Sequence, residues 1–349
     1  MTSLTNQYRN ILIIRQSALG DVANILPAIK VLRDAYPQAK LTCLTGRATS
    51  SLLNQDPCLD DVIIWDRPVR PDRLLSIFFR LWRNRYDLVV DLHSSRYSRW
   101  LAWATNASKR VGAHYNGFYT DLVSFDLRNM QISDIFRRFL QPLGLENEKY
   151  IRRFPCLDEG IAKSKSFLFD QGMADHKYVV FNPGHSPAWG TKRWPVRHWI
   201  SLGKNLVDQG LRIVVAGGPT EFDLATEIAD GIGAGAVSAA GKTDIFCLAG
   251  LLNRSGAVVS TDSGPMHVAA MAGARVVALF GPTHPVTSAP FGTGHKVLHH
   301  KLHCSYCFKK VCPYQHECLD EMKPDEVINA VQEILASNPS NRPIADQKL

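Results

Sequence analysis

Short apolar runs alternate with amphipathic segments along the first 150 residues, a pattern typical of strands and helices in α/β proteins. Strands are predicted for the apolar runs, at residues 11–14, 41–44, 62–65, 88–92 and 110–112. Helices are predicted from the first loop to about residue 36 and at residues 74–83, 99–105 and 132–140. Strands that alternate with helices in this way predict a parallel sheet covered on both faces.

The same rhythm returns after a charged, proline-containing stretch at residues 144–155. It predicts strands at residues 178–181, 212–216, 257–260 and 275–280, and helices at 196–207, 220–230, 245–252 and 265–272. We therefore predict an N-terminal domain of residues 1–155, a C-terminal domain of residues 156–338 and a polar, frayed tail of residues 339–349. Two such halves are expected to leave a ligand cleft between them.

The stretch from Val258 to Gly273 carries the first chemical signal. An apolar strand ends in Thr261, Asp262 and Ser263, and a helix of small residues follows. Gly264 allows a ligand to approach the backbone, and Pro265 suits the first helical position, where its missing N–H costs nothing. Free N–H groups and the positive end of the helix dipole predict an anion site, although an ordinary capped crossover gives the same pattern.

Net charge and hydropathy limit which classes of binding partner and which cellular location we expect. The chain has 349 residues and a net charge of +8, which favours an anionic partner. No nucleic-acid module is found, so we expect a phosphorylated ligand or an anionic membrane face and no nucleic acid. Because no apolar run resembles a signal peptide or a membrane span, we expect a cytoplasmic protein, peripheral at the inner membrane.

Three motifs, in this order, resemble glycosyltransferase family 9, the heptosyltransferases of lipopolysaccharide core assembly. They are Arg15-x-Ser17-Ala18-Leu19-Gly20-Asp21-Val22, Asn182-Pro183-Gly184 with Lys192-Arg193-Trp194-Pro195, and Ser260-Thr261-Asp262-Ser263-Gly264-Pro265-Met266-His267 with Phe280-Gly281-Pro282-Thr283. The likeness covers roughly residues 10–335, and a cysteine-rich segment at residues 303–318 further resembles the heptosyltransferase II-like branch.

The resemblance implies a GT-B fold, in which two Rossmann-like, doubly wound parallel-sheet domains face a central cleft. It implies acceptor binding by the first domain and nucleotide-sugar binding by the second. The implied reaction is an inverting, metal-independent transfer of heptose from ADP-L-glycero-D-manno-heptose to the lipid A–Kdo inner core.

Two residues are the candidate catalytic groups. Asp21 lies at the mouth of the first βα loop and could take the proton of the acceptor hydroxyl, or it could cap the next helix. The resemblance favours the base. Lys192 is the candidate counter-charge to the departing diphosphate, because a compact ammonium on a flexible stem suits a phosphate that gains charge; Arg193 is the alternative.

The donor site is predicted from the second half of the chain. Its candidate residues are Thr191, Glu221, Asp262, Ser263, Gly264, Pro265 and His267. Glu221 could bind the ribose hydroxyls, with Asp223 as its rival, or could stabilise a helix dipole. Asp262 would repel a diphosphate, so we expect it to accept hydrogen bonds from loop backbone or to meet the sugar. His267 could reach a phosphate or a sugar hydroxyl, or be a buried structural histidine.

The acceptor site is predicted from the first half. Its candidate residues are Ser17, Gly20, Arg96, Arg99 and Arg110. The arginines could bind Kdo carboxylates or lipid phosphates, because a guanidinium pairs with such oxyanions in a bidentate manner. Each arginine taken alone is more often a solvated surface cation.

Four of the eight cysteines fall together, as Cys304, Cys307, Cys312 and Cys318, beside His303 and His316. Four thiolates would fill a tetrahedral structural zinc site, and no cofactor is expected for the catalytic step. Reduced thiols or a redox-sensitive pair are the alternative.

Two further functions are left open by the sequence. The first is a GT-B glycosyltransferase or epimerase that uses another nucleotide-sugar, which predicts a preference for UDP or GDP over ADP. The second is a zinc-binding or redox-sensing module on an α/β scaffold, which predicts stoichiometric zinc and no dependence on Asp21.

Overall fold

A computed structural model describes residues 7–65, 71–126, 128–174, 177–184 and 189–337. The chain divides into two compact units, Met1–Pro155 and Cys156–Leu349, which we call unit 1 and unit 2. The predicted frayed tail at residues 339–349 lies outside the described residues. No helix within the described ranges is long and apolar enough to cross a membrane.

Unit 1 contains six strands and five helices in its described residues. In chain order they are β1 (Asn10–Ile14), α1 (Leu19–Ala35), β2 (Lys40–Thr45), α2 (Arg47–Asn54), β3 (Asp61–Ile64), α3 (Pro71–Arg83), β4 (Leu88–Asp91), α4 (Ser98–Ala104), β5 (Lys109–Gly112), β6 (Asp121–Leu122) and α5 (Ile132–Arg138). All six strands are parallel, in the order β3-β2-β1-β4-β5-β6. This is the doubly wound order, with its topological switch point between β1 and β4.

Unit 2 repeats this arrangement. Its elements are α6 (Leu157–Asp170), β7 (Tyr178–Asn182), α7 (Val196–Asp208), β8 (Arg212–Val215), α8 (Phe222–Ile232), β9 (Ala236–Ser238), α9 (Ile245–Arg254), β10 (Ala257–Thr261), α10 (Gly264–Ala272), β11 (Val276–Phe280), α11 (Pro285–Ser288), β12 (Lys296–His299), α12 (Glu317–Asp320) and α13 (Pro324–Ser337). The strand order is β12-β11-β10-β7-β8-β9, again all parallel, and the switch point lies between β7 and β10. The prediction of two doubly wound parallel sheets is therefore confirmed.

The central strands explain why the apolar runs predicted them well. Residues 11–14 of β1 and 257–259 of β10 are fully buried, because helices cover both faces of each sheet. Each unit has its own core: Leu12, Ile14 and Val89 lie in that of unit 1, and Phe181, Trp194 and Trp199 in that of unit 2.

Several elements were not predicted from the pattern. They are α2, β6, α6, β9, α11, β12, α12 and α13. The three-residue strand β9 follows the glycine-rich run at residues 231–235, which predicted only a flexible loop, and none of its residues is fully buried. Helix α13 packs against α7 and the strands β10 to β12, so its position comes from tertiary contacts.

Helices α6 and α9 cross at two glycines. A Cβ atom added to Gly250 would lie 2.1 Å from the carbonyl oxygen of Gly160, and one added to Gly160 would lie 2.2 Å from the carbonyl oxygen of Phe246. The two backbones therefore touch directly, and only glycine fits at this crossing.

We predict that Gly250→Ala destabilises unit 2, although alanine is the better helix former by about 1 kcal/mol. The added methyl group must push two backbones apart, and such overpacking typically costs about 1–3 kcal/mol. Urea unfolding, followed by the fluorescence of the buried Trp194 and Trp199, measures the change in the free energy of unfolding. The control is Ser166→Ala, an exposed position on α6, which should be neutral. An unchanged or raised midpoint for Gly250→Ala would refute the packing argument.

Candidate functional site

The loops that follow β7 and β10 lie side by side at the switch point of unit 2. Ser260 is paired with Asn182 in the sheet ladder, so the two strands end at the same edge. The Asn182 side-chain amide donates to Ser260 Oγ and to Ser263 Oγ, both at 2.8 Å. Thr261 Oγ1 donates to the Gly184 carbonyl at 2.8 Å. These bonds join two motifs that are about 80 residues apart in sequence.

Helix α10 begins next to these loops. The helix starts at Gly264, so Pro265 occupies its second position. The sequence had predicted Pro265 at the first position. Ser263 is the N-cap residue, in extended conformation at φ −150° and ψ 169°, and its side chain makes no cap hydrogen bond. The Ser263 hydroxyl instead meets Asn182. A helix N-terminus without a side-chain cap can bind an anion through its backbone amides.

Lys192, Asp262 and Thr283 meet at one carboxylate oxygen. Lys192 Nζ lies 2.7 Å from Asp262 Oδ2, and Thr283 Oγ1 donates to the same oxygen at 2.6 Å. The Lys192 side chain is 17% exposed and that of Asp262 is 7% exposed. Asp262 therefore accepts hydrogen bonds from two side chains. We had expected it to accept them from the loop backbone. Arg193, the alternative cation, is exposed.

Glu221 lies against the end of β7. Its Oε2 accepts the Gly218 N–H at 2.7 Å, and a Cβ at Gly184 would come within 1.9 Å of Oε1. Glycine at position 184 is thus what allows the carboxylate to approach this edge of the sheet. Asp223 lies exposed in the first turn of α8, and His267 is buried in α10. The ribose and sugar contacts assigned to Glu221 and His267 stay predictions.

In unit 1, Asp21 makes a helix-capping hydrogen bond and an ion pair with Arg15. Its Oδ2 accepts the Ala18 N–H at 2.9 Å and lies 2.6 Å from Arg15 Nη2. Arg15 Nη1 also donates to the Leu92 carbonyl at 2.7 Å, which links the loops after β1 and β4. The helix-capping alternative is therefore realised, and the base role of Asp21 stays a prediction that this geometry permits.

Asp91, at the end of β4, organises the neighbouring loop from inside the unit. It is fully buried, with Oδ1 accepting the N–H groups of His93 and Ser94 and Oδ2 accepting the Tyr119 hydroxyl at 2.6 Å. Burial raises the pKa of the Asp91 carboxyl, and these hydrogen bonds oppose the rise. Asp91 thus supports the loop after β4 from inside the unit.

The predicted acceptor residues differ in their exposure and in the contacts that they make within unit 1. Ser17 and Arg96 are exposed, and Gly20 is buried in the first turn of α1. The Arg99 guanidinium lies over the rings of Tyr115 and Phe118, 4.4 and 4.7 Å from their centroids. The Arg110 guanidinium donates to the carbonyls of Ala107 and Phe118. This geometry gives Arg110 a structural role, and its acceptor contact stays a prediction.

The four cysteines of residues 303–318 line one cavity of about 320 Å³, together with His303 and His316. All four thiols are free, and burial raises the pKa of Cys318 to about 11. Among the described residues, no three His, Cys, Asp or Glu side chains are arranged to hold a metal ion. Structural zinc therefore stays a prediction.

Two hydrogen bonds attach this cysteine-rich segment to the loops after β7 and β11. Thr191 Oγ1 donates to the Lys309 carbonyl at 2.7 Å, and the Phe308 N–H donates to the Pro282 carbonyl at 3.0 Å. The hydroxyl of Thr191, predicted as a donor-binding group, thus holds the segment. The sequence did not predict Asn182 and Thr283 as site residues, although each is a polar residue at or just after the end of an apolar strand.

Comparison with known proteins agrees with these motifs. Residues 74–317 match the model of glycosyltransferase family 9 (heptosyltransferase). Lipooligosaccharide heptosyltransferase 2 of Campylobacter jejuni is 28% identical over 336 residues, 92% of this chain and 96% of the relative. A family 9 glycosyltransferase from Veillonella parvula has a similar structure, with a TM-score of 0.83, 23% identity and coverage of 97% and 100% of the two chains.

The structure of E. coli ADP-heptose LPS heptosyltransferase II is also similar, with a TM-score of 0.74 and 22% identity. It covers 94% of this chain and 98% of that one. These structural likenesses extend the fold over almost the whole chain, in agreement with a two-domain fold of the GT-B type. Because the family model covers well over half of the sequence, the chain belongs to glycosyltransferase family 9, a family of heptosyltransferases.

Proposed function

We propose that the chain is an inverting, metal-independent glycosyltransferase that moves L-glycero-D-manno-heptose from ADP-heptose to a lipid A–Kdo type acceptor of the lipopolysaccharide inner core. The observation that carries the proposal is the arrangement of groups at the ends of β7 and β10. There an uncapped helix N-terminus lies next to Lys192 in a family 9 chain. The names of the Campylobacter and E. coli relatives support heptose as the sugar and ADP as its carrier.

The diphosphate site follows from the charges of unit 2. The amides of Ser263 and Gly264 bind the diphosphate at the start of α10, where the helix dipole favours negative charge. Lys192 then exchanges its ion pair with Asp262 for the phosphate oxygens. Its ammonium is most useful as ADP departs, since charge develops on the leaving oxygen at that moment. Glu221 accepts the ribose hydroxyls beside Gly184.

The base acts in unit 1. The acceptor hydroxyl oxygen forms a bond to the anomeric carbon of heptose, and the bond from that carbon to the diphosphate breaks, so ADP leaves with the electron pair. Asp21 takes the hydroxyl proton, and Arg15 holds the carboxylate in place. Positive charge for the leaving group comes from Lys192 and the helix amides, so the proposal requires no divalent cation.

The acceptor is lipid-linked in this proposal, so the enzyme acts as a peripheral protein at the inner face of the cytoplasmic membrane. Arg96 and Arg99, which follow the loop after β4, are the proposed contacts for acceptor carboxylates or phosphates. Ser17 and Gly20 line the loop after β1. Nucleic acid is not a partner.

We predict that ADP release from ADP-heptose depends on an inner-core acceptor and falls about 10²–10⁴-fold in Asp21→Asn, because the amide cannot accept the proton. A coupled assay with EDTA in the buffer measures this release. Release that survives the substitution would remove Asp21 as the base but keep the enzyme. If folded protein releases no ADP with any acceptor, ADP-heptose is not the donor. UDP- and GDP-sugars would then be assayed.

We predict that Lys192→Ala lowers kcat about 10²–10³-fold, the usual loss when one group that stabilises a developing negative charge is removed. Lys192→Arg restores only part of the rate, since a planar guanidinium does not replace a compact ammonium. Arg193→Ala tests the alternative cation, and the exposed Lys204→Ala is the control for charge alone. A larger loss in Arg193→Ala than in Lys192→Ala would reassign the role to Arg193.

The cysteine-rich segment gives a separate prediction about metal. If the four thiols hold structural zinc, elemental analysis of the purified chain finds about one zinc per chain, and Cys304→Ser with Cys307→Ser removes it. Cys156→Ser, outside the cavity, should retain it. Less than a tenth of this zinc, with all four thiols open to titration, would establish the reduced-thiol alternative instead.

A further inference from the structure

Helix α3 is apolar on two of its faces. Leu81 is buried, and Ile77 and Phe78 pack on the core of unit 1. Leu75, Phe79 and Trp82 remain 73%, 59% and 60% exposed. Their spacing of four and three residues places them along one side of the helix. A soluble surface helix normally carries polar residues on that side, so this exposed face needs an explanation.

Helix α4 packs against α3 and continues the pattern. Tyr97, Trp100 and Trp103 follow one another at intervals of three residues and are 53%, 45% and 54% exposed. The Trp100 and Trp103 rings lie 6.1 Å apart, as do those of Phe79 and Trp82. We call six side chains, those of the two helices and of Tyr97 just before α4, the aromatic surface: Leu75, Phe79, Trp82, Tyr97, Trp100 and Trp103.

The sequence around the aromatic surface is strongly basic. Residues 71–121 contain seven arginines and one lysine against four acidic residues, Asp72, Asp87, Asp91 and Asp121. Asp91 is buried, and Asp87 accepts the N–H groups of Arg9 and Asn10. Arg83 and Arg85 are exposed and form no ion pair with any residue that the structure describes. Of the other cations, Arg80 pairs with Asp61 and Lys109 pairs with Asp121. The exposed Arg83 and Arg85 therefore lie near the aromatic side chains with no acidic partner among the described residues.

This combination selects one kind of partner. Tryptophan and tyrosine rings are favoured at the headgroup level of a bilayer, and arginines beside them attract anionic lipid. A second copy of the chain, docked through the same face, would bring the two sets of arginines together and be opposed by their repulsion. We propose that the aromatic surface is a docking face for the headgroup region of an anionic lipid bilayer.

The position of the surface suits the proposed function without depending on it. Tyr97 and α4 follow the loop at residues 91–96, at the carboxyl end of β4, where the acceptor residues are proposed. Docking through α3 and α4 would hold that edge of unit 1 near lipid-borne substrates. Binding to lipid needs neither donor nor acceptor, so it can be tested even if heptose transfer is disproved.

Vesicle co-sedimentation of the full chain is the test. Vesicles of phosphatidylcholine with 30% phosphatidylglycerol are compared with phosphatidylcholine alone, at low and high salt. The chain should bind the anionic vesicles and be released by salt, because the Debye length shortens from about 10 Å at 0.1 M to about 3 Å at 1 M. Phe79→Gln with Trp82→Gln, and Arg83→Ala with Arg85→Ala, should each weaken binding about tenfold or more.

Matched controls separate the surface from general exposure and charge. Phe169 is 75% exposed on α6 of unit 2, and Lys204 is exposed on α7. Phe169→Gln and Lys204→Ala should bind vesicles like the wild type. Quenching of tryptophan fluorescence by brominated lipid gives a second measurement, which should fall in Trp82→Phe with Trp103→Phe.

Three results would overturn the proposal. The first is no binding to anionic vesicles by the wild type. The second is equal binding by the Phe79/Trp82 double variant, shown to be folded. The third is a dimer, seen by analytical ultracentrifugation, that this double variant dissociates, since a second copy would then cover the surface. Heptose transfer to a detergent-dispersed acceptor is measured separately. The Phe79/Trp82 double variant should transfer heptose at the rate of the wild type in this assay. Absence of transfer by both proteins would count only against the proposed function.

Discussion

The pairing of β10 with β7 determines how the loops at the switch point of unit 2 are arranged. Parallel strands need a long crossover, so neighbours in the sheet are distant in sequence, and their carboxyl ends meet at one edge. The ladder places Ser260 opposite Asn182, and the Asn182 amide then holds both Ser260 and Ser263. Lys192 and Thr283 reach Asp262 from the loops after β7 and β11, the two strands that flank β10. A shift of one strand would separate all of these groups.

The ion pair of Lys192 with Asp262 lies in a largely buried site, where charges interact more strongly than in water. A buried lysine without a counter-charge is costly, and Asp262 supplies that counter-charge to Lys192. In the proposed reaction the diphosphate replaces Asp262 as the ion-pair partner of Lys192. This explains why a carboxylate can lie next to a proposed anion site. Thr283 hydrogen-bonds the same oxygen and keeps the carboxylate oriented.

Units 1 and 2 share one strand order but not one chemistry. At the switch point of unit 1 a carboxylate, Asp21, is paired with Arg15, whereas unit 2 presents an ammonium and a helix N-terminus. The framework is repeated and the loops differ, as expected when function depends on the site and not on the fold. Unit 1 also differs from unit 2 in the exposed aromatic residues of α3 and α4.

The sequence by itself determined the alternation of strands and helices, the two doubly wound sheets and the family, and it predicts an anion site at the start of α10. These follow from local patterns: apolar runs for buried strands, and oxygen side chains with glycine and proline for a helix entry. Only the tertiary structure decided that Asp262 binds Lys192 and Thr283, that Thr191 holds the cysteine-rich segment, that Arg110 is tied to loop carbonyls and that α3 exposes Phe79 and Trp82. Hydrogen-bond partners and exposed faces depend on which distant segments come together, and periodicity along one chain does not contain that information.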